Sequence, residues 1–320
     1  MARAEPDIVV VVPAHRAEGT IEACIAGLRA QDLDAVRFEV HVVDTGEDAA
    51  GELVARLATG WDGRLHYHQV PGTGPGEKRN LGAAEAGAAH LAFTDADCVP
   101  DPGWLRAGLT AIEGGADLVQ GPTLPPDGTA AGAFAHSIEI TGPSPLFESC
   151  NVAYSNRAFR SAGGFPTEPF DAIGVPFGED TELAWHVLRD GGRAVFAPEA
   201  SVRHLVLPRS FGEHLRYEWQ ARHFAGLLGR VPELRREALT LNLFLGERSV
   251  GFDAALAGVL LARRTPLSLL LAVPYLRRLL RVSGGDPRTA IRRIGKHVIA
   301  DCVRVGALAW GSLRSRRPVL

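Results

Sequence analysis

Three short clusters carry residue types able to do chemistry. Asp95-Ala96-Asp97 follows the apolar run Leu91-Ala-Phe-Thr. Two carboxylates one residue apart at a strand end can gather oxygen ligands around one hard divalent cation. Mg²⁺ and Mn²⁺ favour such ligands and complete their shells with substrate phosphates. A cation held there would neutralise a diphosphate leaving group, although the pattern alone also reads as an ordinary Asp-rich turn. Glu179-Asp180, within Phe177-Gly178-Glu179-Asp180-Thr181-Glu182-Leu183, sits where a helix begins. Acids are favoured there on electrostatic grounds alone. A carboxylate at that place can also be the general base that takes the proton of an attacking hydroxyl. His204, in Ser201-Val-Arg-His204, reads either as an ordinary structural histidine or as a metal ligand opposite the Asp95/Asp97 pair.

Strands and helices must bring these clusters together. Ile8–Val12, Phe38–Val43, Leu65–Val70 and Leu91–Thr94 read as buried strands. Helical patterns separate them, at residues 19–31, within Glu52–Leu57 and over Glu77–His90. This alternation predicts βαβ units and a parallel sheet with right-handed crossovers. In open sheets of that kind ligands sit beyond the carboxyl ends of the strands. Pro13-Ala14-His15-Arg16, Asp44-Thr45-Gly46, the loop Pro71–Gly76 and Asp95-Ala96-Asp97 are therefore expected at one mouth. Gly121–Pro145, rich in Gly, Pro and Thr, is expected to contain a mobile segment beside the site. Further strands are expected at Asn151–Tyr154 and Ala194–Ala197, and helices at Asn156–Ala162, Thr181–Arg189 and Phe211–Leu228. The last carries Arg216 and Arg222, which read as anion contacts on a flap over a diphosphate or as the charged face of an amphipathic helix.

The chain of 320 residues has room for one large α/β domain and an appendage. With 46% apolar and 22% charged residues it is not a disordered chain. The net charge of −3 hides an asymmetry: from residue 261 onward thirteen basic residues face only Asp286 and Asp301. A basic tail on an acidic body points to an anionic partner. Its apolar stripes, around Pro266–Leu276 and Ile294–Leu313, suit a membrane surface better than nucleic acid. The competing expectation is a helical pair packed on the catalytic body. No stretch reaches the ~18 uncharged apolar residues of a membrane span. Four cysteines without a C-x-x-C pair, and an N-terminus without a signal-like apolar run, fit a reducing, cytoplasmic setting, peripheral at the inner face of a membrane if the tail binds lipid.

Taken in order, these pieces resemble the family 2 glycosyltransferases. Val9–Pro13 with Ala14 and Gly19-Thr-Ile is similar to the family's opening strand, loop and helix. Val42-Val43-Asp44-Thr45-Gly46 is similar to its second strand end, and Gly74-Pro75-Gly76-Glu77-Lys78-Arg79-Asn80-Leu81-Gly82 to its third helix start. Phe93-Thr94-Asp95-Ala96-Asp97, with Pro100 and Trp104-Leu105, is similar to its metal motif. Asn151 through Gly163-Gly164-Phe165, then Gly178–Leu183, is similar to its acceptor half, and the whole covers about residues 7–225. The resemblance implies a GT-A fold, α/β with a mostly parallel twisted sheet flanked by helices. It implies a catalytic domain over 1–230, donor half 1–120 and acceptor half 121–230, followed by a helical region over 231–320.

It further implies an inverting, non-processive transfer of one sugar from a nucleoside-diphosphate donor to a hydroxyl or phosphate acceptor, a glycan or lipid-linked precursor. Mn²⁺ or Mg²⁺ would sit at Asp95, Asp97 and His204. Pro13, Ala14, His15, Asp44, Lys78, Arg79, Asp95, Asp97, Arg216 and Arg222 would hold the donor, and Asp180 with Glu179 would supply the base. UDP stands ahead of GDP and dTDP, but the opening loop His15-Arg16-Ala17-Glu18 departs from the family's pattern and leaves the base open. A Q-x-x-R-W pattern is absent, with Gln220-Ala-Arg222-His223 only a distant echo. The rivals are a sugar-phosphate nucleotidyltransferase, for which Pro13–Gly19 is too poor in glycine, and a nucleotide-sugar-binding protein without turnover.

Overall fold

Seven consecutive buried residues, Ile8–Ala14, form the central strand β1. A run buried on both faces is how a strand inside a parallel sheet reads, and each Val or Ile so buried contributes roughly 1.5–3 kcal/mol relative to exposure. The computed structural model describes residues 5–62, 64–85, 87–129, 134–168, 177–283 and 287–320, side chains at 287–289 excepted. Within them β1 is followed by α1 (Ile21–Arg29), β2 (Phe38–Asp44), α2 (Ala50–Leu57), β3 (Leu65–Gln69), α3 (Pro75–Ala84) and β4 (His90–Thr94). Next come β5 (Cys98–Pro100), α4 (Trp104–Glu113), β6 (Leu118–Gln120), β7 (Thr123–Leu124), β8 (Asn151–Ser155) and α5 (Asn156–Ser161). Then follow α6 (Glu179–Arg189), β9 (Ala194–Phe196) and β10 (Val202–His204).

These elements make a seven-stranded sheet of order β3-β2-β1-β4-β8-β6-β9 and a small sheet of order β5-β10-β7. In the large sheet β8 runs against its neighbours β4 and β6, while the other neighbouring pairs are parallel. The reversal matters: it sets Asn151, the first residue of β8, beside Thr94, the last of β4. The segment leading into β8 thereby joins the edge where the parallel strands end. In the small sheet His204 pairs with Cys98.

The alternation of β1 divides the core. Ile8, Val10 and Val12 pack with Ile21, Ile25, Leu28, Val54 and Leu105 from α1, α2 and α4. Val9 and Val11 pack on the opposite face with Phe93, Tyr154, Phe159, Phe165 and Leu183. A Cβ on Gly82 would lie 2.4 Å from Val11 Cγ1, so glycine lets α3 press directly onto β1. Lys78 and Arg79, one turn earlier on that helix, are carried to the strand ends by this contact.

Several elements differ from the sequence expectation. α3 stops at Ala84, and His90 opens β4 instead of closing the helix. α4 and the short strands β5, β6, β7 and β10 were not predicted. Of Gly121–Pro145, residues 130–133 lie outside the described residues; nearby, Thr123 and Ile140 exchange backbone hydrogen bonds of 2.9 and 2.7 Å.

The chain forms two compact units. One comprises residues up to 129, 137–168 and 178–206; the other comprises 130–136, 169–177 and 207–320. This places the boundary at Val206/Leu207, where the sequence reading put it near 230. The second unit holds α7 (Phe211–Trp219), α8 (Phe224–Arg230), α9 (Leu234–Glu237), α10 (Glu247–Leu261), α11 (Val273–Ser283) and α12 (Pro287–Ser315). Helices α7 and α8 belong with it because the long α12 packs along both. Its interior is partly ionic. Buried Asp301 accepts hydrogen bonds from Arg248 and from the Tyr275 hydroxyl, and buried Glu218 accepts from Arg248 and Arg304. Two of the tail's cations, Arg278 and Arg304, thus serve the fold together with Arg248. No helix among the described residues is long and apolar enough to cross a membrane.

Candidate active site

Parallel strands deliver their last residues to one edge of the first unit: Ala14 from β1, Asp44 from β2, and Thr94 from β4, one residue before Asp95. Asp44 is fully buried. The Tyr67 hydroxyl, on neighbouring β3, donates to Asp44 Oδ2 at 2.9 Å, while Oδ1 has no hydrogen-bond partner. Burial, then the bond to Asp44, raises the pKa of Tyr67, which keeps it a donor. An unpaired buried acceptor costs about 1–3 kcal/mol or more when ionised, so Asp44 Oδ1 suits a ligand hydroxyl or N–H. Pro13 and Ala14 are buried at the end of β1. His15 is half-exposed and its Nδ1 lies 2.9 Å from Thr45 Oγ1; Arg16 pairs with Glu47.

Lys78 and Arg79 reach the same edge from α3. Lys78 Nζ donates to the Ala14 carbonyl at 2.6 Å, and burial lowers its pKa, an effect that Asp44 partly offsets. Arg79 is buried and donates to Asp95 Oδ1 at 2.6 Å, with Glu179 Oε1 3.6 Å from its other terminal nitrogen. Burial works against its charge, but Asp95, Glu179 and Asp180 outweigh it and hold its pKa above the ordinary value. Its Nε has no hydrogen-bond partner. A buried acceptor and a buried donor, Asp44 Oδ1 and Arg79 Nε, therefore both stand unsatisfied at the edge where sequence reasoning put the donor.

The three residues expected around a metal separate into two groups. Asp97 Oδ2 lies 3.7 Å from His204 Nε2, and with Cys98 Sγ these atoms fall within 4.8 Å of one another. The small sheet produces this arrangement: β5 and β10 pair Cys98 with His204, and Leu205 N donates to the Asp97 carbonyl. Contact of His204 Nδ1 with the Leu205 carbonyl, at 2.9 Å, turns Nε2 toward Asp97. Burial raises the Asp97 pKa and His204 pulls it back. Asp95 is also the counter-ion of Arg79, because a guanidinium buried in α3 needs one. Cys98, missed in the sequence, keeps its proton: its thiol–thiol hydrogen bond with the free Cys150 and its burial push the pKa well above the ordinary range. A protonated thiol is a poor ligand for a hard cation. Asp97 and His204 offer the oxygen and nitrogen atoms that could hold Mn²⁺ or Mg²⁺.

Glu179 and Asp180 open α6, and Gly178 before them sits in the left-handed region at φ 70°. Asp180 Oδ2 accepts from the Ser149 N–H at 3.1 Å, and Oδ1 from the Thr181 N–H at 2.8 Å. Ser149 reaches it because β8 runs antiparallel. Burial raises the pKa of Asp180, with Arg79 and the two N–H bonds offsetting part of the effect. Burial and the charge of Asp180 raise that of Glu179. Tyr67, Ser149 and Thr181 were not picked out in the sequence; only strand register and the β8 reversal reveal them. Arg216 and Arg222 belong to the second unit. Arg216 is exposed on α7, and Arg222 donates to the Trp219 carbonyl at 2.7 Å and lies 5.6 Å from that ring's centre.

Residues 9–162 match the family described as Glycosyl transferase family 2. The chain is 33% identical over 254 residues to glycosyltransferase AglE of Haloferax volcanii, covering 75% of this chain and 81% of that protein. Among solved structures it is similar to the mannosyltransferase PcManGT from Pyrobaculum calidifontis in complex with GDP-Man and Mn²⁺. That TM-score is 0.59 at 18% identity, over 96% of this chain and 87% of the other. It is also similar to S. aureus TarS 1-349 in complex with UDP-GlcNAc, with TM-score 0.51 at 18% identity over 97% and 92%. At these identities the structural likeness concerns the fold, which is GT-A.

Proposed function

Because the chain belongs to glycosyltransferase family 2 and so acts on nucleotide sugars, we propose that it transfers one sugar, with inversion, from a nucleoside diphosphate to an acceptor that Asp180 deprotonates. One observation carries this reading: the buried Asp44 carboxylate, with its unpaired Oδ1, ends β2 at the edge that Lys78 and Arg79 reach from α3, and Arg79 ties that edge to Asp95, two residues before the Asp97–His204 pair, and to the raised-pKa pair Glu179/Asp180. In this reading Asp44 accepts from the ribose or base of the donor, and Tyr67 holds it in place. Lys78, already anchored on the Ala14 carbonyl, keeps further N–H donors for phosphate. Arg79 Nε donates to the sugar or diphosphate, with Asp95 and Glu179 fixing its plane.

Asp97 and His204 would hold the divalent cation, Mn²⁺ or Mg²⁺. When bound, such a cation neutralises charge on the leaving diphosphate. Asp180 accepts the proton of the attacking acceptor, a hydroxyl on a glycan or lipid-linked precursor, or a phosphate, as the nucleophile reaches the anomeric carbon opposite the leaving group. Fixed by Ser149 and Thr181, its carboxylate needs no reorganisation at that moment. Relatives solved with GDP-Man and with UDP-GlcNAc support a nucleotide-sugar donor of either base. The test is release of nucleoside diphosphate from UDP-, GDP- and dTDP-sugars with Mn²⁺ and a lipid or glycan extract. The reading expects extract-dependent release from one base class, and release from none with folded protein would contradict it.

A membrane surface is the proposed setting for the acceptor. Around the α10–α11 corner Leu260, Leu267, Leu270 and Leu280 are 65–75% exposed, beside exposed Arg263, Arg264, Arg277 and Arg281. Exposed leucines interleaved with arginine suit an anionic lipid interface, where each cation contributes about 1 kcal/mol. The full chain should sediment with anionic liposomes at low salt and be released by salt. Changing Leu267 and Leu270 together to Ser should leave most of it in the supernatant, whereas unchanged sedimentation would remove this corner from the membrane contact.

A further inference from the structure

The proposed transfer uses the carboxyl ends of the strands. The face of β2 and β3 turned away from Asp44 and Tyr67 carries a second constellation. Glu39 and His41 lie two residues apart on β2, and His66 and His68 two apart on β3, so the period of two puts all four on one face. The register sets His41 directly opposite His66. β3 is an edge strand, so His66 is about one-third exposed while His41 is buried. His41 Nε2 lies 3.9 Å and His66 Nε2 3.5 Å from Glu39 Oε2, and the three atoms fall within 4.8 Å of one another. Both Nε2 atoms are shielded from solvent and have no hydrogen-bond partner. Two neighbouring imidazole nitrogens aimed at one carboxylate oxygen, without a hydrogen bond to either, are an unusual arrangement for a structural core.

We propose that Glu39, His41 and His66 form a transition-metal site of the Zn²⁺ class, separate from the Asp97–His204 pair. Tetrahedral zinc with nitrogen and oxygen ligands at 2.0–2.2 Å requires ligand atoms about 3.3–3.5 Å apart, so small side-chain rotations bring the present separations to that value. Two imidazoles and one carboxylate select Zn²⁺, Co²⁺ or Ni²⁺ over Mg²⁺. The surrounding bonds are those a ligating set needs. His41 Nδ1 lies 3.0 Å from His68 Nε2, so a His41 ring protonated at Nδ1 donates there and leaves Nε2 for a metal. Arg64 donates to Glu39 Oε1 at 3.2 Å and leaves Oε2 facing the histidines. Three protein ligands leave a fourth position for water on the His66 side, where the edge strand is partly exposed. A bound ion would cross-link the edge strand to β2, the pair that presents Asp44 and Tyr67 on its other face.

The test strips the full-length protein with chelator and titrates it with Co²⁺, read by visible d–d absorption, and with Zn²⁺, read by calorimetry. Wild type and His204→Ala are both expected to show the tetrahedral Co²⁺ spectrum, and Zn²⁺ to raise their Tm. His66→Gln and, independently, Glu39→Gln are expected to lose that spectrum and to bind Zn²⁺ about 100-fold or more weakly at this site, since even supporting residues of metal sites cost 10–100-fold. Retention of the spectrum in both variants, its loss in His204→Ala alone, or no Co²⁺ or Zn²⁺ binding by wild type would overturn the proposal.

Discussion

Asp180→Asn is expected to lower sugar transfer by about 10²–10⁴-fold, the usual contribution of a positioned general base, while donor affinity stays within about twofold. The replacement keeps the side chain's shape and removes only its capacity to take a proton. Both Asp180 oxygens accept hydrogen bonds, from Ser149 and Thr181, so the new amide sets an N–H against one donor. Donor titration of the same variant separates that local disturbance from loss of the base. The pH dependence supplies a second signature. A base acts only when ionised, and burial raises the Asp180 pKa above the ordinary carboxylate value. Wild-type transfer should therefore fall as pH drops through that raised pKa, earlier than for an exposed carboxylate, and the acid limb should vanish from the residual activity of the Asn variant. Near-wild-type transfer by Asp180→Asn would move the base elsewhere, with Glu179 the next residue to change.

Asp97→Ala is expected to remove the metal dependence of donor binding, lowering affinity in Mn²⁺ by about 100-fold, of the order of the several kcal/mol a divalent cation contributes to phosphate charge. His204→Ala should act in the same direction and less, because imidazole supplies one neutral ligand. Stability offers an independent check. Burial raises the Asp97 pKa, so the ionised carboxylate is held at a cost to the fold. Its removal should leave Tm unchanged or raise it while binding collapses, the separation expected where a site is kept for function. A fall in Tm with Mn²⁺-dependent affinity intact would make Asp97 a structural residue.

The parallel half of the fold was legible because its signals are local. Continuous apolar runs such as Val9–Val12 declare buried strands, and the acids that follow them mark the ligand edge. The residues gathered there, Asp44, Lys78, Arg79, Asp97 and His204, come from those strand ends, from α3 and from the small sheet. Less legible was everything set by pairing over distance. β6, β7 and β10 have two or three residues each, too few to show any period. The reversal of β8 has no local signature, yet it brings Ser149 to Asp180. Asp95 reads in the sequence as half of a metal pair, and only the packing of α3 on Val11 reveals that the buried Arg79 is bonded to its Oδ1. The compact units divide at a different place from the sequence reading for a related reason. α7 and α8 follow the catalytic elements in sequence, but their packing partner α12 lies some 70 residues further on.

Binding of a nucleoside diphosphate at this edge through a divalent cation can be measured by calorimetric titration of UDP, GDP and dTDP into the full chain with and without Mn²⁺. Saturable binding of one base class is expected, stronger by about an order of magnitude or more when Mn²⁺ is present. Equal affinities with and without Mn²⁺, or no binding of any of the three to folded protein, would contradict it.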